Sequence, residues 1–271
     1  MSPLGTVNAG DLYIGSGKVT IDRLDAIRAR TGERFVGNAT AFSIGITDDV
    51  KEKYSSADAQ RGLMKAVVTK RTPEIKLELD EQSNENLALF FMGTTASYVQ
   101  TGATITNYVP PSARVRKGYS FPVEGPIGTP RRSISAVNVS GPSSTPVYVA
   151  GTDYTVNAAS GTIYVIPGGS IADAAALEVD FTYATIATSA LEYVKGGASK
   201  FVEVYLKFEG DPTAGPVYTY EFWIVSLSPD GEMNLIGDDF ASLKLKGKVL
   251  ADTVNHPGDE QFFRAYRVAA A

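Results

Sequence analysis

Along residues 38–93 the hydrophobic positions change period twice. In 41–47, Phe42, Ile44 and Ile46 alternate with Ala41, Ser43, Gly45 and Thr47, the pattern of a strand with one buried face. Ile75, Leu77 and Leu79 repeat it, with Lys76, Glu78 and Asp80 opposite, so two neighbouring strands are predicted. The intervening residues, 48–72, are rich in charge, Ser and Ala and read as a loop far beyond the two to five residues of an ordinary hairpin turn. After the second strand, Ser83 suits an N-cap and Glu85 the first turn of a helix. Leu87, Leu89, Phe90 and Phe91 give that helix its apolar surface, and Gly93 suits its C′ position.

Elsewhere the pattern is almost entirely that of strands. Leu12-Tyr13-Ile14 and Val19-Thr20-Ile21 flank a Gly15-Ser16-Gly17 turn, and 24–30 could form one helical turn before Thr31-Gly32. Residues 94–123 read as irregular strands around Pro110-Pro111. From 125 the texture shifts to Gly-Pro and Thr-Pro turns, followed by strand-like pieces at 134–139, 147–149, 154–156, 162–166 and 177–183. This predicts a small β-sandwich at 125–187, inserted in a host domain made of 1–124 and 188–271. In 201–208 both faces carry large side chains, as expected of a strand covered on both sides. Residues 218–227, with the only tryptophan, Trp223, predict another strand, ended by Ser228-Pro229-Asp230-Gly231. Leu243, Leu245 and Val249 then alternate with Lys244, Lys246 and Lys248. The fold class is therefore mainly β: a sandwich or barrel with one short helix and a long loop, plus an inserted Ig-like β domain.

Composition narrows the chemistry. The chain has no cysteine, so disulfides and thiolate metal sites are excluded, and its net charge of −5 gives no basic footprint for gripping nucleic acid. No apolar run reaches a membrane span and residues 1–10 lack a signal-peptide pattern, which predicts a protein made and kept in a cytoplasm. The single histidine, His256, lies in an Asn-His-Pro-Gly turn and reads as an exposed loop residue, leaving little material for Ser-His or Cys-His pairs. Glu74, Glu78, Asp80, Glu192 and Glu203 could supply paired carboxylates but read as solvated strand faces. Residues 196–200, Gly-Gly-Ala-Ser-Lys, lack Walker spacing, and Asp48-Asp49 and Asp238-Asp239 lack the alternating oxygen ligands of a calcium loop. No catalytic, cofactor or metal site is expected.

The order of motifs carries a resemblance. Gly37-Asn38-Ala39-Thr40, a strand, then Thr47-Asp48-Asp49-Val50-Lys51-Glu52-Lys53-Tyr54-Ser55-Ser56 open it. Pro73-Glu74-Ile75-Lys76-Leu77-Glu78-Leu79-Asp80 and Glu85-Asn86-Leu87-Ala88-Leu89 to Gly93 follow. This succession resembles the major tail tube proteins of long-tailed, siphovirus-type bacteriophages, and Gly237-Asp238-Asp239-Phe240 to Leu250-Ala251-Asp252 is similar to the end of such proteins. The stretch 125–187 looks like the small β domains that decorate phage tail proteins.

The resemblance implies a structural virion protein, assembled in a bacterial host cytoplasm. Its copies would close into sixfold rings that stack into a hollow tail, with inner strands joined across subunits into one barrel. Its other partners would be tail proteins (tape measure, tip, terminator), with DNA only in transit, no membrane and no cofactor. The long loop would be an arm reaching a neighbouring ring or subunit, carrying Asp48, Asp49, Lys51, Glu52, Lys53, Tyr54, Lys65, Lys70 and Arg71. A mildly acidic subunit suits a conduit for a polyanion, and Glu74, Glu78 and Asp80 are candidates to face the lumen. The rival expectation pairs them across strands with Lys244, Lys246 and Lys248. Two other classes remain open on the residues: a cellular carbohydrate-binding or adhesive β-sandwich, and a polysaccharide-degrading enzyme with two facing carboxylates.

Overall fold

The computed structural model describes residues 8–57, 59, 61–125 and 128–268. Pro126, part of an expected turn, and residues 1–7 lie outside them. The chain divides into two compact units, Met1–Ala96 with Val194–Ala271, and Ser97–Tyr193.

The first unit is built on one antiparallel sheet. Its strands are β1 (Gly17–Arg23), β2 (Arg34–Phe35), β3 (Ala39–Tyr54), β4 (Leu63–Leu79), β13 (Val202–Gly210), β14 (Tyr218–Pro229), β15 (Leu243–Leu250) and β16 (Phe263–Arg267), in the order β2-β1-β13-β14-β15-β4-β3, with β16 paired to β14. The sheet is open, with β2 at one edge and β3 at the other. Alternation sets its core: Ile75, Leu77 and Leu79 of β4 are buried with Leu243 and Leu245 of β15, in the register Leu243↔Leu79 and Leu245↔Leu77. Gly247 continues that row opposite Ile75, because a Cβ there would stand 2.4 Å from Cγ1 of Val225. β13 is covered on both faces as its sequence predicts, with Val202, Val204, Tyr205 and Leu206 all buried.

The one α-helix among the described residues, α1 (Asn84–Phe90), starts where Ser83 Oγ accepts the Asn86 N–H at 3.2 Å. The fully buried Asn86 donates from Nδ2 to the carbonyls of Val36 and Glu81, pinning the helix to the chain before β3 and after β4. The C-terminus departs from expectation: Met92, not Gly93, takes the left-handed C′ position (φ 49°), while Gly93 N–H reaches the Ala88 carbonyl at 2.7 Å. Gly93 is small for another reason, since a Cβ would lie 2.2 Å from the Lys195 carbonyl oxygen.

Three further expectations are corrected. Residues 48–72 are not a loop: β3 and β4 run on as one hairpin from the sheet to Tyr54↔Leu63, leaving only 55–62 as the connection. Cross-strand pairing of opposite charges and the β-branched Val50, Val67, Val68 and Thr69 favour that extension. Residues 24–30 form no helical turn; Asp25 Oδ1 accepts the N–H groups of Ile27 and Ala29, and Leu24 bridges Arg30. The boundary of the second unit lies wider than 125–187, because strands within 97–124 pair with strands of that unit.

In the second unit, β6 (Ala103–Tyr108), β11 (Glu178–Tyr183) and β8 (Ile134–Ser140) form one sheet in the order β6-β11-β8. β7 (Ser120–Pro122), β10 (Thr162–Val165) and β9 (Tyr154–Asn157) form another, in the order β7-β10-β9. Both sheets bury side chains in a single core that includes Phe121, Ile163, Val179 and Phe181, making a six-stranded β-sandwich. Residues 147–149, expected as a strand, contribute only the bridge Ser140↔Val147. β5 (Thr94–Ser97) and β12 (Glu192–Lys195) form a separate two-stranded ladder.

Candidate assembly surface

The hairpin has two chemically distinct faces. No extra residue interrupts β3 from Ala41 to Tyr54, so its even positions share one face: Phe42, Ile44, Ile46, Asp48, Val50, Glu52 and Tyr54. Their partners on β4 are Leu77, Ile75, Pro73, Arg71, Val68, Ala66 and Leu63. At its base this face joins the core, where Phe42 stacks on Phe208 (centroids 5.4 Å) and meets Phe222 edge-on (6.0 Å). Outward it becomes exposed: Ile46 is 56% exposed, although its partner Pro73 is still buried, Val50 and Val68 48% each, and Leu63 53%. The opposite face is mostly polar, with Ser43↔Lys76, Gly45↔Glu74, Asp49↔Lys70 and Lys53↔Lys65, and carries one exposed apolar residue, Val67, opposite Lys51.

Every residue expected on the arm lies on this hairpin. Arg71 donates two hydrogen bonds to the carboxylate of Asp48, at 2.8 and 2.9 Å. That bond draws the Asp48 carboxyl below its ordinary range and holds the Arg71 guanidinium above its own. Lys70 stands 4.0 Å from Asp49, and Tyr54 donates its hydroxyl proton to Glu52. Lys51, Lys53 and Lys65 form no ion pair among the described residues. The apolar side chains Ile46, Val50, Leu63, Met64 and Val68 were not anticipated as functional. For Ile46 and Val50 the signal was the alternation of 42–46 continuing to Tyr54, interrupted only by Asp48 and Glu52.

Glu74 and Glu78 stand on the polar face of the main sheet and meet lysines across strands. Glu78 lies 3.5 Å from Lys244 and accepts a hydrogen bond from Ser242; Glu74 lies 4.0 Å from Lys248. Lys246 faces Lys76 and binds Asp230 instead, and Asp80 accepts from Asn38 Nδ2 at 2.6 Å. The cross-strand pairing expected as the rival thus holds for Glu74 and Glu78. This face is not acidic: Lys76, Lys244, Lys246 and Lys248 outnumber the two glutamates.

A concavity of about 410 Å³ is lined by Leu24, Arg28, Arg30, Tyr205, Trp223 and the segment from Ala251 to His256. His256 is not the exposed loop residue expected from its turn: its ring lies flat on Trp223 (centroids 3.7 Å) and its Nδ1 is 2.9 Å from Asp252 Oδ2. Their 33-residue separation left no signal in the sequence. Burial raises the Asp252 carboxyl, but hydrogen bonds from Asn255, His256 and Val254 outweigh it and leave the group below its usual range. Burial, helped by nearby Glu221, pushes the Tyr205 phenol up to about 12. Among the described residues no hydroxyl or thiol bonds the His256 ring, and no group of three or more His, Asp or Glu could hold a metal ion. In 196–200 the Gly197 and Ser199 N–H groups bond the Phe91 and Met92 carbonyls, so they do not form a phosphate cradle. No helix among the described residues is long and apolar enough to cross a membrane.

The profile of the family described as "Protein of unknown function UCP028589" matches residues 12–265, so the chain belongs to that family. No curated protein matches it.

Proposed function

We propose that this member of an uncharacterised family is a self-assembling structural protein whose copies form rings stacked into a hollow tube, the tail tube of a long-tailed bacteriophage. The observation that carries the reading is the hairpin of β3 and β4. It is paired from the sheet to Tyr54↔Leu63, broken only by bulges at Thr40 on β3 and at Thr69 and Met64 on β4, yet its outer half exposes an apolar stripe that nothing among the described residues covers. A two-stranded hairpin is marginally stable in water alone, so a stripe of this kind calls for a partner surface. Strand β3 adds a second reason. It is a 16-residue sheet edge with free backbone groups, a template for edge-to-edge pairing that closure of the sheets of several copies into one ring would satisfy.

In this reading the sheet supplies the tube wall, the hairpin is the arm between copies, and the six-stranded sandwich is a decoration. A lumen lined by the charged face of β4 and β15 would be a mixed Glu-Lys surface rather than an acidic one. DNA would pass along it without a specific site.

Negative-stain electron microscopy of the purified protein, with sedimentation velocity over a concentration series, tests the reading. Rings or hollow tubes are expected. Monomers at every concentration and ionic strength would overturn it. Replacing 55–70 by a short turn should leave a folded monomer that no longer polymerises, and tubes of normal length from that variant would remove the arm from the assembly.

A further inference from the structure

At the β2 edge of the main sheet, two arginines stand on the core-facing side without a carboxylate partner. Arg34 of β2 is opposite Ile21 of β1, so their side chains share a face, and Arg23 lies two residues further along it. The same face carries Val19 and Ile21 into the core. The Arg23 guanidinium donates only to neutral acceptors, the Gly93 carbonyl at 2.7 Å and Ser199 Oγ at 3.1 Å. Arg34 has less: its Nη2 is shut off from water and has no hydrogen-bond partner among the described residues. A donor hidden in this way costs free energy, and folded chains keep few such groups without a purpose.

Between this sheet edge and α1 lies a concavity of about 420 Å³, lined by both arginines, by Ile21, and by Glu85, Ala88 and Leu89 of the helix. Those helical positions, i, i+3 and i+4, share one face. Ile21, Ala88 and Leu89 are at most 3% exposed and give the concavity an apolar floor. Glu85 is the only carboxylate in the lining and forms no ion pair with either arginine. Burial lowers the Arg34 guanidinium, and the charge of Glu85 offsets that only in part. Two guanidiniums against one carboxylate leave the lining with one positive charge in excess. Apolar walls with a few convergent charged groups are the makeup of a small-molecule site, and the volume falls in the range of such sites.

We infer that this concavity binds a small organic molecule with a single carboxylate, whose oxygens accept hydrogen bonds from Arg34 and whose apolar part lies on Ile21, Ala88 and Leu89. The planar guanidinium fork matches the two oxygens of a carboxylate. A single excess positive charge, with Glu85 at the site, favours a monoanion over a dianion. The ligand supplies the partner that Arg34 lacks, so its binding adds to the stability of the folded chain. The site lies within one unit and needs no contact between copies, so it stands apart from the assembly reading.

Isothermal titration calorimetry of the full chain with sodium acetate, propionate, butyrate and hexanoate, at constant ionic strength, tests it. Saturable binding that tightens as the apolar chain lengthens is expected, with a matching rise in the thermal unfolding midpoint. Arg34→Met keeps the stem and removes the charge. It should weaken butyrate binding by at least about tenfold. Without ligand it should be at least as stable as the parent, because Arg34 gives up no internal partner. Glu85→Gln should bind butyrate more tightly, since the one like charge at the site is gone. Arg116→Met, at an exposed position of the other unit, should change neither property. Three results would each overturn the inference: no saturable binding of any of these acids, binding that Arg34→Met leaves intact, or an Arg34→Met protein less stable than the parent without ligand. The last would show that the guanidinium has a partner within the chain.

Discussion

The two halves of the β3-β4 hairpin share a sequence pattern and differ in what receives it. In the inner half, Ile75, Leu77 and Leu79 are at most 2% exposed, and Phe42 packs on Phe208 and Phe222. In the outer half, the same face continues as Ile46, Val50, Val68 and Leu63 with nothing among the described residues above it. Alternation therefore specifies a face, and only the neighbouring strands and layers decide whether that face is filled within the chain or outside it. The inner half contributes to folding; in the proposed assembly the outer half would offer its apolar surface for association.

The largest effect expected from breaking this contrast is in the inner half. Leu77→Ala should lower monomer stability by about 2–5 kcal/mol in urea denaturation, because the fully packed site cannot collapse around the missing atoms. Val50→Ala should change the same midpoint by no more than about 0.5 kcal/mol, as at other exposed positions, and instead impair assembly. Equal losses of monomer stability would mean that the outer half is covered in solution.

The contrast also explains what could be read from the sequence. Strands β8, β10, β11, β13, β14 and β15 were legible within a few residues because each has its own buried row, and α1 because Ser83 and Glu85 mark its start. The outer hairpin read as a loop because Asp, Glu and Lys occur on both of its faces and no core imposes a period. The boundary of the second unit was misplaced because β6 pairs with β11, more than seventy residues later, and β7 pairs with β10; such long-range ladders leave no local mark. The stacking of His256 on Trp223 was hidden for the same reason. Of the assembly surface, the charged residues were legible and the apolar stripe was not, since its side chains lay inside what read as a polar connection.

A smaller effect separates a buried from an exposed carboxylate in the same unit. Burial pushes the Asp22 carboxyl up, but hydrogen bonds from Arg30, Gly32 and Thr31 outweigh it and leave the group below its ordinary value. A carboxyl lowered on folding contributes stability above its unfolded pKa of about 3.9 and loses it as pH falls through the folded value. Stability should therefore decline in acid below about pH 4. Asp22→Asn should flatten that decline and cost about 1–3 kcal/mol at neutral pH through the impaired hydrogen bonds to Arg30 and the Thr31 and Gly32 amides. An acid profile unchanged by the substitution would show that other carboxylates set it.

The smallest effect is expected at Asp48, where the sign is the same and the setting is open to water. Its bidentate pair with Arg71 links β3 to β4 just where the hairpin leaves the core, but solvent and salt screen the interaction. Asp48→Asn should leave the global unfolding midpoint unchanged. It should instead speed amide hydrogen exchange from Val50 to Tyr54, because the outer rungs close only on the rungs beneath them. Raising the ionic strength of the parent protein, or lowering its pH through the folded pKa of Asp48, should lower the protection of the same amides, measured against their intrinsic exchange rate at each pH. Protection that is unchanged by all three would mean that backbone pairing alone holds the arm extended, with the ion pair contributing nothing to its shape.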